Sequence, residues 1–157
     1  MVNSKINIER VELILDNMKS CIASMEEVIE LKDVTEGRIR DRVLESFRPE
    51  IIGFKELLGD YISHCLRTIS ISVSEITYMK AIETAISEKY LPADLLNFYR
   101  KVNRIRNKTA HVYKKPSIDD LIKFYINNRD NYYTTVEYIK NYLKMERNSN
   151  RTKKLEF

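Results

Sequence analysis

Apolar residues return every three or four positions along most of this chain, a spacing that predicts helices. Val11, Met18 and Met25 form one series seven residues apart, and Leu15, Ile22 and Ile29 form another. Interleaved, they make one stripe along a helix expected from about Lys5 to Leu31. Such a stripe faces a core or a partner helix, and in a chain of 157 residues a core face is the expectation. Asp33 to Gly37 breaks the pattern with capping residues, and a shorter helix follows with Ile39, Val43 and Phe47 inward. Pro49 falls where a third helix would start, since a first-turn N–H has no helical partner to lose. Phe54, Leu58, Tyr61 or Ile62, Cys65 and Ile69 mark that helix's inner face. The serine-rich, β-branched run Ser70 to Ser74 either bends it or divides it from a fourth, which carries MKAIETAISEKY.

Leu91-Pro92 punctuates again. The next helix turns Leu95, Phe98 or Tyr99, Val102 and Ile105 inward, and Pro116 ends it. Ser117, followed three residues later by Asp120, resembles a capping box with Asp in place of Glu. One last helix is expected to carry Ile118, Tyr125, Tyr132 and Ile139 in one series and Ile122, Val136 and Leu143 in the other. The sum is an all-α protein, an antiparallel bundle of about five to six helices. Residues 1–145 make the single domain, and the basic tail 146–157 is expected to fray or to be disordered. Three Gly and three Pro are too few for the turns of an all-β fold.

The net charge of +4 is small but unevenly placed. Arg100, Lys101, Arg104, Arg106, Lys108, Lys114 and Lys115 fall within sixteen residues that contain no Asp or Glu. Such a run either attracts a polyanion, through counterion release, or is a solvated helix face. Cys21 and Cys65 fit no metal spacing and sit among apolar positions, which predicts buried free thiols and a reducing, cytoplasmic setting. The N-terminus lacks the apolar region and cleavage site of a signal peptide. No apolar run is long enough to cross a bilayer.

One stretch within the basic run carries candidate chemistry: RNKTAHVY, Arg106 to Tyr113. Residues four apart on a helix share a face, so Asn107 and His111 lie together, with Arg106 long enough to reach over. Imidazole, amide and guanidinium then meet in a positive field. That set suits attack on RNA without a metal or cofactor, because RNA supplies its own nucleophile in the 2′-OH. A histidine moves the proton, and an arginine holds the scissile phosphate. The spacing alone is also that of a surface or interface histidine. His64, beside Cys65, reads as a packed or interfacial histidine.

The motif, Arg followed by a polar residue, three more, then His-x-Tyr, resembles that of the HEPN superfamily, most closely its HepT-like branch. YLPADLLNFYRKVNRIRNKTAHVY is similar to the family's Leu-Pro start, amphipathic helix and Arg-Asn-x-x-x-His-x-Tyr end. FKELLGDYISHCLRTIS resembles its preceding long helix. The resemblance implies a helical homodimer whose paired motifs line one cleft. It implies a metal-independent endoribonuclease, the toxin partner of a minimal nucleotidyltransferase antitoxin. His111 would stand near the 2′-OH, Arg106 on the phosphate and Asn107 in support. Arg100, Lys101, Arg104, Lys108, Lys114 and Lys115 would bind RNA, and Tyr113 would be the tyrosine that the antitoxin modifies with AMP. Two alternatives stand beside this: a non-catalytic partner or substrate-binding subunit of a nucleotidyltransferase, and a basic RNA-binding module with an incidental histidine.

Overall fold

The computed structural model describes residues 6–110 and 116–155; within 106–110 and 151–155 it describes the backbone. Seven α-helices are present among the described residues, and no strand. They are α1 (Ile8–Leu31), α2 (Gly37–Glu45), α3 (Phe47–Arg67), α4 (Tyr78–Ser87), α5 (Leu96–Ala110), α6 (Ile118–Asn127) and α7 (Arg129–Leu155). Single 3₁₀ turns, Val73–Glu75 and Ala93–Leu95, precede α4 and α5.

The helices begin where the sequence offers caps. The Asn7 side chain accepts from the Arg10 N–H, Thr77 from Lys80 and Ser117 from Asp120, each at 3.1 Å. Pro49 lies in the first turn of α3, as its missing donor allows. The serine-rich run divides α3 from α4 rather than bending one helix.

The long apolar stripe of α1 is a core face. Val11, Met18 and Met25 are fully buried, and Leu15 and Ile22 nearly so. It packs chiefly against α3 and then α7, while α3 also touches α2, α4, α5 and α6 and is the central rod. Tyr132 links three elements through ring contacts to Phe54, Phe98 and Tyr125, at centroid distances of 4.7, 4.9 and 5.1 Å. Glu26 on α1 accepts from the Tyr125 hydroxyl at 2.9 Å and pairs with Arg129 at 2.6 Å. At the other end of the α1–α7 seam, Glu12 pairs with Arg147.

Four expectations differ from the structure. Ile39, placed inward by periodicity, is 65 % exposed, because α2 is short and rests on its neighbours through Val43 and Leu44. The last helix is two helices, separated at Asn128. There the Asn128 side chain donates to the Phe124 carbonyl at 2.9 Å and accepts from Asn131 at 3.2 Å, replacing helix bonds with local ones. Both apolar series nevertheless stay on the core across the break, all buried except the half-buried Ile118. Ile69 lies beyond the end of α3 and is partly buried. The polar stretch from Glu146, expected to fray, has helical backbone as far as Leu155.

Candidate functional site

The element that presents the candidate chemistry is α5. Its inner face is fixed by Phe98, Tyr99 and Val102, all buried. The Tyr99 hydroxyl lies 2.9 Å from that of Thr135 on α7, which pins the helix's rotation. Leu95, Leu96 and Ile105 are partly buried against the same core.

With that face committed, Arg100, Lys101 and Arg104 point outward and are exposed. Arg100 touches Asn97 at 3.4 Å, and none of the three forms an ion pair among the described residues. Three cations thus project from one helix with no acidic partner among the described residues. The helical backbone continues through Arg106, Asn107 and Lys108. In register, position 107 follows Arg104 by three residues and Arg100 by seven, so it shares their face. Position 108 follows Arg104 by four and Lys101 by seven. Position 106 instead follows the buried Val102 by four. His111, Tyr113, Lys114 and Lys115 lie outside the described residues.

The chain beyond the motif is anchored. An Arg48 Nη on α3 donates to the Pro116 carbonyl at 3.0 Å, across 68 positions of sequence. The Arg48 Nε is buried and has no hydrogen-bond partner among the described residues. Ser117 then caps α6, which opens with Asp119 and Asp120 at the positive end of its dipole. Arg48 was not singled out from the sequence, because only the folded chain brings it to residue 116.

The second histidine has a structural task. His64 Nε2 accepts the backbone N–H of Asn7 at 3.3 Å, joining α3 to the cap of α1. Burial, then the charges of Arg67 and Arg10, lower its pKa below the ordinary 6.5. Cys21 and Cys65 are free and buried, and burial is the main cause that pushes each thiol up to about 12. Neither thiol is poised as a nucleophile. Among the described residues no group of three or more His, Cys, Asp or Glu could hold a metal ion. None of the described helices is long and apolar enough to cross a membrane. No family model, no curated protein and no solved structure matches this chain.

Proposed function

We propose that this protein is a metal-independent endoribonuclease of the HEPN type, the toxin partner of a minimal nucleotidyltransferase. The observation that carries the reading is the sequence Arg106-Asn107-x-x-x-His111-x-Tyr113, which begins on a helix whose outward face is cationic and unpaired. A single-stranded RNA backbone lies along Arg100, Lys101, Arg104 and Lys108, with Lys114 and Lys115 beyond. His111 takes the proton of a ribose 2′-OH, and the oxygen attacks the adjacent phosphorus. The P–O5′ bond breaks and the 5′-oxygen takes a proton from water, leaving a 2′,3′-cyclic phosphate and a 5′-OH, and protonated His111 returns its proton to solvent. Arg106 holds the phosphate oxygens as charge builds on them, and Asn107 orients the reacting groups. Two copies pair so that both motifs share one cleft. The nucleotidyltransferase silences the pair by transferring AMP from ATP to the Tyr113 hydroxyl, with pyrophosphate leaving.

The test is to incubate purified protein with RNA in EDTA and compare His111→Ala. The expected result is cleavage by the wild type and a loss of about 10²-fold or more in the variant, the scale of one acid–base group. Equal cleavage by both would mark a contaminating nuclease. No cleavage by either would leave a non-catalytic partner of a nucleotidyltransferase. A monomer in sedimentation at micromolar concentration would remove the shared cleft.

A further inference from the structure

A cavity of about 480 Å³ opens between α3, the Val73–Glu75 turn and α4. One wall holds Lys55, which is only 5 % exposed and whose Nζ sits 4.1 Å from the centroid of the Tyr78 ring. Burying an ammonium is costly, and the ring offsets part of that cost. Glu56 and Asp60, exposed and one helical turn apart on α3, place two carboxylates on the same cavity. Ile62, Val73 and Ala81 give it an apolar side.

A second cavity of about 500 Å³ adjoins the first, and Ser63 and Val73 line both. Its chemistry is different: the Arg67 guanidinium with Ser70, Ser72 and Ser74. Ser70 holds the left-handed conformation, φ +64°, where the chain turns away from α3. The Ser72 and Ser74 hydroxyls lie 2.8 Å apart.

We propose that the two cavities together bind one guanine nucleotide, with the base in the first and the phosphate in the second. An ionised carboxylate only accepts hydrogen bonds and an ammonium only donates them. The charged groups of the first cavity are therefore two acceptors, Glu56 and Asp60, and one donor, Lys55. Guanine's Watson–Crick edge is the complement: N1–H and the N2 amino group donate, and O6 accepts. Cytosine and uracil each present one donor and two acceptors, and adenine one of each, so each leaves a carboxylate facing a lone pair or nothing. The apolar wall of Ile62, Val73 and Ala81 receives the flat base. The ribose bridges at Ser63, and the phosphate meets the planar fork of Arg67 and the serine hydroxyls. The guanine comes either as a free nucleotide or as one unit of an RNA strand; the recognition chemistry is the same.

Calorimetric titration with GMP, AMP, CMP, UMP and guanosine tests the assignment on the full chain. GMP should bind at least about tenfold tighter than the other three nucleotides, a difference of one good polar contact. Glu56→Gln and Asp60→Asn should each erase that preference, and Arg67→Gln should bring GMP down to the affinity of guanosine. All three residues are exposed, so circular dichroism should match the wild type. Four nucleotides binding within about twofold of each other, no heat with millimolar GMP, or GMP binding untouched by both carboxylate variants would overturn it. A short 2′-deoxy strand with one guanine that displaces GMP assigns the site to a nucleic-acid strand, and failure to displace assigns it to the free nucleotide. GMP binding without RNA cleavage would end the ribonuclease reading alone. Cleavage without GMP binding would end this one alone.

Discussion

The hydroxyl of Tyr132 sits in the most aromatic part of the core and has no hydrogen-bond partner among the described residues. A buried unpaired hydroxyl costs about 1–3 kcal/mol, whereas a paired one contributes about 1 kcal/mol. Tyr132→Phe should therefore raise stability by about 1 kcal/mol, or about 3 °C in Tm for a chain of this size. Tyr99→Phe makes the opposite change, because that hydroxyl is paired with Thr135, and should cost about 1 kcal/mol. Two thermal melts decide it: the idea fails if both variants lose stability alike. His64 carries a second residue-scale prediction. Protonating Nε2 removes the acceptor for the Asn7 N–H and adds charge near Arg67 and Arg10. Its pKa is lowered in the fold, so the unfolded chain binds this proton more tightly. Stability should be flat above about pH 6.5, the unfolded value, and fall as pH drops from there toward the lower folded value. His64→Gln keeps an acceptor without titrating. Denaturant midpoints from pH 8 to 5 should show a smaller acid loss in the variant, and parallel curves would refute the linkage.

Both α3 and α4 stop by the same device, and in neither is the turning residue glycine. At Lys89, φ +66°, its N–H reaches the Ile86 carbonyl at 3.0 Å and the next N–H reaches Ala85 at 2.8 Å. Ser70 repeats the pair, to Arg67 and Leu66 at 3.1 and 3.0 Å. These are Schellman ends, where a side chain with a Cβ is strained. The Tyr138 hydroxyl donates to the Lys89 carbonyl at 2.7 Å and holds this conformation in place. Lys89→Gly should gain about 0.5–1 kcal/mol and Lys89→Val should lose stability, by thermal melting. If valine is tolerated as well as glycine, the turn relaxes and stores no strain. Such ends were hidden in the sequence because Gly is the usual signal and neither turn uses it. The helical stripes were legible because their period persists over many turns: Val11, Met18, Met25, Tyr125, Tyr132 and Ile139 all reached the core. The break at Asn128 was missed for the same reason, since the series stays in phase across it; the cap-favouring pair Asn127-Asn128 was the available signal. In the candidate site, periodicity gave the outward face of α5. It could not give Arg48 against Pro116 or Lys55 against Tyr78, which are contacts made only by folding.

At the scale of the molecule, the charge pattern matters more than the net value. A surplus of +4 over 157 residues exerts a weak overall pull. The run from Arg100 to Lys115 concentrates seven cations without one carboxylate. On the described part of that run, α5 turns its apolar residues to the bundle and leaves Arg100, Lys101 and Arg104 in solvent. An RNA strand held there must displace counterions, so binding must weaken as salt rises. For single strands each neutralised phosphate contributes about 0.7 to the slope of log affinity against log salt. Replacing Arg100, Lys101 and Arg104 together with glutamine should lower the slope's magnitude by about 2. The experiment belongs in a His111→Ala background, so that the strand is not consumed, with fluorescence anisotropy on a short labelled RNA from 50 to 300 mM salt (about a sixfold range). All three side chains point away from the core, so the fold should be untouched. An unchanged slope would mean that this face is only solvated, and that any RNA bound to the protein lies elsewhere.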